Sequence, residues 1–327
     1  MSRTPAIQEL RDHRIGVLML VGAAVFWSLN GVLIKTINDH GHGPHGVVIA
    51  FYRSLVAGLF LLPLARRRMG TLMRDLPAGA EASGPRIRIQ PAAIVCVLCF
   101  AAMTVCFVVA NTHTEASNAI ILQYTSTFWI FAFSPLMLGE RPKAGDVGML
   151  VVAVVGIGII FAGNASAGLF GLVNALLAGL FYGLLTIMIR KLRGADAAAI
   201  TVLNNLGSAA LILPFVFAAG GLVVATRAAL LLMVMGVVQL AIPYYLFSLG
   251  LARVPASQAG LITLLEPVLV PVWTFLVLGE RLPPATAAGG GLILAALIVY
   301  GFVSHRAALP PGTAVPQGQH LEEEQTE

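Results

Sequence analysis

The sequence predicts an all-α polytopic membrane protein of ten transmembrane helices, and three observations lead to this prediction. Of the 327 residues, 58% are hydrophobic and 11% are charged, with a mean hydropathy of +0.88, whereas charged residues make up about a quarter of soluble chains. The apolar residues fall into runs long enough to cross a bilayer. One segment of the first half also repeats in the second half.

The ten helices are predicted from ten apolar runs. The first, 15–37, follows a polar segment, 1–14, and is too long for the core of a cleaved signal peptide. The last is followed by a tail, 305–327, which is rich in proline, glycine and glutamate and is predicted to be disordered. The other runs lie at 46–65, 92–111, 116–138, 145–163, 168–189, 197–219, 229–251, 256–279 and 284–303.

The basic residues set the predicted orientation. Most of the 20 Lys and Arg residues lie in the N-terminal segment, in the connections after helices 2, 4, 6 and 8, and in the tail. Short cytoplasmic connections of membrane proteins carry an excess of Lys and Arg. Both termini are therefore predicted to be cytoplasmic.

The repeat joins predicted helices 4 and 9. Residues 115–141 align without gaps on residues 255–281, and both copies close on Leu-Gly-Glu-Arg, whose glycines, Gly139 and Gly279, are predicted helix ends. The copies are five helices apart, an odd number, so they cross the membrane in opposite directions. We therefore predict two inverted halves, 15–163 and 164–304, a geometry that suits alternating access with the substrate near the midplane.

Five short motifs occur along the chain in a characteristic order. They are 26–31 leading to Lys35, 53–55, 123–126, 265–267, and the Leu-Gly-Glu-Arg that closes each repeat. In these motifs the sequence resembles the EamA-domain transporters of the drug/metabolite transporter superfamily, over roughly residues 15–303. The resemblance implies two inverted five-helix repeats around a central cavity. It also implies export of metabolites, amino acids or drug-like compounds, as in most bacterial members.

Glu266 is the most informative single residue. It lies near the middle of predicted helix 9, where a carboxylate costs about 2.5–3.5 kcal/mol on insertion scales, so it is expected to face a cavity rather than lipid. It can bind a cationic group or take up a proton during transport, or it can be a neutral or paired acid that joins helices. Pro267 and Pro271 leave backbone carbonyls without their donors and mark either a hinge or a static kink.

Two basic residues lie within or at the end of predicted helices. Arg53 can hold an anionic group of the substrate or pair with Glu266, or it can snorkel toward the outer surface. Lys35 is expected to snorkel.

Further polar and aromatic residues on helices 1, 4, 6 and 8 are candidates for substrate binding. They lie on helical faces that are expected to meet protein or water. Each of them also fits ordinary packing between membrane helices. The predicted substrate-binding set, together with Glu266, is Trp27, Asn30, Gln123, Tyr124, Ser126, Tyr182 and Tyr245.

Several classes of protein are disfavoured. No phosphate-binding loop of the Gly-x-x-x-x-Gly-Lys-Ser/Thr type occurs, so no nucleotide-driven subunit is implied. A catalytic set such as paired acids or a His cluster would have to lie at membrane depth, and of such groups only Glu266 is there. No enzyme activity, cofactor or metal site is therefore predicted. The basic residues form no single stripe, so no nucleic acid is expected.

These observations predict a secondary transporter, multi-pass in the bacterial inner membrane. It is expected to be a monomer or homodimer that exports a small amphipathic metabolite, such as an amino acid, a nucleobase or a drug-like compound, and proton coupling through Glu266 is one mechanism open to it. An importer or exchanger of the same fold is the first alternative. A non-transporting receptor or scaffold is the alternative from another class.

Overall fold

The computed structural model describes residues 4–38, 42–65, 91–139, 144–164, 168–192, 196–251, 253–254, 259 and 262–308. Within these ranges the chain forms α-helices, one π-helical segment and no strand. The helices are α1 (Thr4–Ser28), α2 (Asn30–Asn38), α3 (Gly46–Ala65), α4 (Pro91–His113), α5 (Ala116–Gln123), α6 (Ser126–Leu138), α7 (Ala144–Asn164), α8 (Leu169–Lys191), α9 (Ala197–Ala218), α10 (Thr226–Val234), the π-helical segment (Met235–Ala241), α11 (Ile242–Leu251), α12 (Leu265–Leu278) and α13 (Pro284–Ala308).

Seven helical stretches of the described residues are long and apolar enough to cross a membrane. The predicted all-helical architecture is thus confirmed, whereas the count of ten and the location of the termini stay predictions. Three shorter apolar stretches, Val154–Asn164, Leu265–Leu278 and Pro284–Val299, coincide with predicted helices 5, 9 and 10. The seven longer ones are Arg11–Asn38, Gly46–Ala65, Pro91–His113, Ala116–Met137, Leu169–Ile189, Ala198–Ala218 and Thr226–Phe247.

The two terminal helices extend beyond their apolar runs. The first begins at Thr4 rather than at residue 15, and the last ends at Ala308 rather than at residue 303. Hydropathy marks where a helix enters the apolar layer of the membrane. The backbone hydrogen bonds of the helix do not stop at that boundary and can continue into water. Of the predicted tail, residues 309–327 lie outside the described residues.

The helix contacts map onto themselves when the two halves of the chain are exchanged. The pair α4 and α8 corresponds to α11 and α1, and the contact of α5 and α6 with α8 corresponds to that of α12 with α1 and α2. The members of the pair α3 and α9 exchange places with each other, as do those of the pair α7 and α13, so both contacts are unchanged. This packing has the pattern that a pseudo-two-fold relation between the halves would produce.

The two Leu-Gly-Glu-Arg sequences end their helices in the same way. Gly139 follows α6 with φ 69° and ψ 16°, and Gly279 follows α12 with φ 69° and ψ 12°. This left-handed conformation favours glycine, which has no Cβ, at the end of a helix. The N–H of Gly279 donates to the carbonyl of Phe275 at 3.0 Å. The predicted helix ends are therefore confirmed.

Candidate functional site

A cavity of about 290 Å³ lies among the helices of both halves. Its wall includes residues of α1, α2, α3, α4, α5, α6, α8, the π-helical segment, α11 and α12, so no single segment of the sequence defines it. The structure brings most of the predicted site residues together here. Those that line the cavity are Trp27, Asn30, Arg53, Gln123, Tyr124, Ser126, Tyr182 and Glu266.

Three interruptions in the helices lie at this cavity. The first helix is broken at Leu29, the fourth predicted helix at Tyr124 and Thr125, and the ninth at Leu264. Each break is followed by the N-terminus of a new helix, at Asn30, Ser126 and Leu265. Broken helices in membranes place unpaired backbone groups and helix dipoles beside a central site, because irregular backbone is tolerated only where it faces protein or a cavity.

Glu266 lies in the first turn of α12 and accepts two hydrogen bonds from other helices. The amide nitrogen of Asn30 donates to its Oε1 at 3.1 Å, and the hydroxyl of Tyr124 donates to its Oε2 at 3.0 Å. A carboxylate in the first turn also interacts favourably with the positive end of the helix dipole. The break before α12 therefore gives Glu266 a polar environment within an apolar bundle.

Tyr124 faces two acceptors with one hydroxyl. Besides the carboxylate of Glu266, the backbone carbonyl of Thr263 lies 2.9 Å from its oxygen. Pro267 has no N–H and cannot make the helical hydrogen bond to Thr263. Tyr124 thus links the first half of the chain to the break that precedes α12.

The two prolines of α12 have different positions. Pro267 is buried in the first turn, where the N–H of a residue has no helical partner, and Pro271 lies inside the helix. Their role as a hinge stays a prediction.

Arg53 is buried in the wall of the cavity rather than extended to a surface. Its exposed fraction is 6%, and its Nε and Nη1 atoms have no hydrogen-bond partner within the described ranges. Between described residues, Lys35 with Glu280 is the one ion pair within 4.0 Å, so Arg53 and Glu266 share the cavity without contact. A buried guanidinium without partners is costly unless a ligand supplies them.

Gln239 was not predicted from the sequence. It is 2% exposed, lies in the π-helical segment and contributes to the cavity wall. Its Nε2 lies 3.5 Å from the carbonyl of Trp27, while its Oε1 has no partner among the described residues. A lone amide in an apolar run is a sequence signal that could have identified it.

The structure corrects which tyrosine lines the cavity in the part of the eighth predicted helix that is α11 in the structure. Tyr245, predicted to bind substrate, is 43% exposed and lies in a groove beside Phe60 and Pro63, outside the cavity. Its neighbour Tyr244 lines the cavity instead. The π-helical segment immediately before α11 changes which face of the following helix points inward, and the sequence alone does not reveal such a segment.

Trp27 forms an aromatic wall with two residues of α11. Its ring centroid lies 5.3 Å from those of Tyr244 and Phe247, with interplanar angles of 77° and 53°. These are favourable edge-on and tilted arrangements. One side of the cavity is therefore aromatic, and the polar groups around Glu266 and Arg53 complete it.

Lys35 does not snorkel but belongs to a separate polar cluster, which we call the Lys35 cluster: Lys35, Thr114, Ala116 and Glu280. The ammonium lies 2.5 Å from Oε2 of Glu280 and donates to the carbonyl of Thr114 at 3.0 Å. Oε1 of Glu280 accepts from the N–H of Ala116 at 2.7 Å. The cluster therefore joins α2, the N-terminus of α5 and the segment after α12.

Exchanging Lys35 and Glu280 keeps two opposite charges but is expected to destabilise the protein. In the double variant Lys35→Glu/Glu280→Lys, the new carboxylate faces the Thr114 carbonyl and the new ammonium faces the Ala116 N–H, so both meet groups of like polarity. We expect Lys35→Met and Glu280→Gln each to destabilise the protein by about 1–3 kcal/mol, and the exchange by at least as much. Thermal unfolding in detergent measures this, and wild-type Tm in the exchanged variant would contradict it.

Among the described residues, no group of three or more His, Cys, Asp and Glu side chains is placed to hold a metal ion. The thiols of Cys96 and Cys99 are buried in the apolar core.

Comparison with known proteins identifies the family. The model of the EamA-like transporter family matches residues 14–162 and again residues 169–302. The resemblance found in the sequence motifs is thereby confirmed over nearly the whole chain.

Individual relatives are also similar over most of their length. An uncharacterized transporter of Archaeoglobus fulgidus is 26% identical over 292 residues, which cover 88% of this chain and 97% of that protein. The pseudopaline exporter CntI of Pseudomonas aeruginosa strain UCBPP-PA14 is 27% identical over 286 residues, which cover 86% and 94%. A solved crystal structure matches 90% of this chain and 99% of its own with a TM-score of 0.60 and 16% identity, a likeness that concerns the fold alone.

Proposed function

This chain belongs to the EamA-like transporter family, and we propose that it is a secondary transporter that exports a small amphipathic metabolite by alternating access. Its ten helices form two inverted repeats, 15–163 and 164–304, in the bacterial inner membrane, with both termini in the cytoplasm. The observation that carries the proposal is the cavity, in which buried polar groups from both halves meet at three helix breaks.

Two further features support this architecture. The helix contacts correspond to one another when the halves are exchanged, and Gly139 and Gly279 end equivalent helices with nearly the same dihedral angles. Export is favoured because one relative, matched over most of its length, is named as an exporter.

We propose that protons drive the transport through Glu266 and Tyr124. When Glu266 is ionised, the Tyr124 hydroxyl donates to it in a charge-assisted bond, which is roughly twice as strong as a neutral one. When Glu266 is protonated, it donates to the Tyr124 oxygen, and the hydroxyl turns to the Thr263 carbonyl. Protonation thus moves one hydrogen bond between the cavity and the helix break. Three other ionisable side chains, those of Arg53, Tyr182 and Tyr244, face the same cavity as Glu266 and Tyr124.

Transport by purified protein in proteoliposomes tests the proposal. The probes are radiolabelled leucine, phenylalanine, hypoxanthine and tetraphenylphosphonium, with empty liposomes as the control. We expect at least one probe to accumulate in acid-interior liposomes. If correctly inserted protein moves no probe, the transporter proposal is contradicted. If a probe moves equally with and without the gradient, proton coupling alone is wrong. Uptake into inverted membrane vesicles but not into right-side-out vesicles supports export.

Replacing Tyr124 with phenylalanine is expected to weaken proton coupling selectively. Tyr124→Phe keeps the ring but removes the hydroxyl that links Glu266 to Thr263, and hydrogen bonds to charged groups are worth about 1.5–3 kcal/mol, roughly tenfold or more. Gradient-driven accumulation should fall about tenfold, while exchange of labelled for unlabelled probe without a gradient persists. Tyr245→Phe, outside the cavity, is the matched control and should resemble the wild type. Equal losses in both assays would contradict a coupling role.

A further inference from the structure

We propose that the cavity binds a zwitterion, a solute that carries one carboxylate and one ammonium group. This inference rests on the proposed transport function and specifies the substrate class of the same cavity. The inference follows from the hydrogen bonds of the buried polar atoms in the cavity wall, because some of these atoms have a partner and others have none among the described residues.

Arg53 supplies the site for the carboxylate. The side chain is 94% buried, and two of its nitrogens have no partner among the described residues, although it lines the cavity. A guanidinium offers planar N–H donors that match the two oxygens of a carboxylate. A solute without an anionic group would leave these donors unpaired.

Acceptors supply the site for the ammonium. Glu266 contributes its carboxylate, and the amide oxygens of Asn30 and Gln239 are buried without a partner in the described part of the chain. The amide nitrogen of Asn30 is directed to Glu266, and that of Gln239 lies 3.5 Å from the Trp27 carbonyl, so the unpartnered atom of each amide is its oxygen. An ammonium carries three N–H donors and no acceptor, which matches a set of three acceptors.

The size and the aromatic wall limit the rest of the solute. Small-molecule sites have volumes of about 300–1,000 Å³, and this cavity, at about 290 Å³, lies just below that range. Trp27, Tyr244 and Phe247 form one aromatic side. The solute is therefore a compact zwitterion with a modest apolar part. A cation alone leaves Arg53 unpaired, and an anion alone leaves the three acceptors unpaired.

Matched analogues test the two charges separately. Binding to the detergent-purified protein is measured by titrating the shift in Tm, which rises with the ratio of free ligand to Kd. One series is leucine, leucinamide and 4-methylpentanoate, and a second is phenylalanine, phenylalaninamide and 3-phenylpropionate. Glycine, β-alanine, 4-aminobutyrate and 6-aminohexanoate vary the separation of the charges. We expect at least one zwitterion to bind about 10-fold to 100-fold more tightly than either of its single-charge analogues, because a missing partner leaves buried groups unpaired.

Two variants assign the charges to residues. Arg53→Gln should reduce the preference for the zwitterion over its amide to nearly none, and Glu266→Gln should do the same for the preference over the deaminated acid. Arg227→Gln, an exposed residue outside the cavity, is the matched control. If a variant does not fold, the comparison of analogues on the wild-type protein still decides the proposal.

Several outcomes would overturn the inference. They are equal binding of a zwitterion and one of its single-charge analogues, or no binding of any zwitterion by folded protein. Transport of hypoxanthine or tetraphenylphosphonium without binding of zwitterions would overturn this inference and leave the proposed transport function intact. A zwitterion that binds as expected but is never transported would contradict the transport function and leave the site assignment standing.

Discussion

Acid-interior proteoliposomes containing the Glu266→Gln variant are expected to equilibrate the transported probe without accumulating it. Each pH unit of gradient is worth about 1.4 kcal/mol per proton, a factor of ten, so a gradient of about two units supports roughly 100-fold accumulation by a one-proton exchanger. Asn30 and Tyr124 donate to different oxygens of Glu266. Glutamine keeps one of these oxygens as an acceptor and replaces the other with an NH2 group, and it cannot release a proton. The accumulation ratio should therefore fall from roughly 100 to about one.

The same variant should still exchange labelled for unlabelled probe in the absence of a gradient, although more slowly where Glu266 also binds the solute. Tyr245→Phe serves as the control for expression and reconstitution. Retained gradient-driven accumulation in Glu266→Gln would exclude Glu266 as the coupling group. If most of the variant fails to insert, while the fraction that does insert keeps the wild-type accumulation ratio, the result would favour a role of Glu266 in joining helices.

Much of the cavity can be predicted from the sequence because lone polar residues in apolar runs are informative. Glu266, Asn30 and Arg53 are costly in lipid, so each must face protein, water or a ligand, and all three lie in one cavity. The repeat indicated equivalent helix ends at Gly139 and Gly279, since the same four residues close both copies.

Other features of the structure depend on contacts and helix geometry that the hydrophobic periodicity of the sequence does not encode. The choice between Tyr244 and Tyr245 depends on the π-helical segment, which changes the facing of α11. Lys35 is predicted from the sequence to snorkel, but its partner Glu280 is brought to it from the second half of the chain. The helix break at Leu29 has no glycine or proline at the break itself, so the local sequence does not mark it. The break at Leu264 is marked by Pro267, which cannot donate to the carbonyl of Thr263.

Replacing Arg53 with methionine is expected to stabilise the protein while it abolishes transport. The guanidinium is buried, and two of its nitrogens have no partner in the part of the chain that the structure describes. Replacing buried charges by apolar side chains of similar length can stabilise a protein by about 1–4 kcal/mol. Methionine is flexible enough to fill the space. We therefore expect a higher Tm in detergent, together with a transport rate reduced about 100-fold, as when a buried charged partner of a ligand is lost.

Lys35→Met is the matched comparison, because it removes a cation of similar length that does have partners, Glu280 and the Thr114 carbonyl. Its Tm should fall, whereas that of Arg53→Met should rise. Opposite signs would separate a cation retained for a ligand from a cation retained for the fold. Among the described residues, Arg53 has donors without a partner, whereas the ammonium of Lys35 has two acceptors. If Arg53→Met lowers the Tm as Lys35→Met does, Arg53 stabilises the helices, and the substrate's carboxylate must be bound elsewhere.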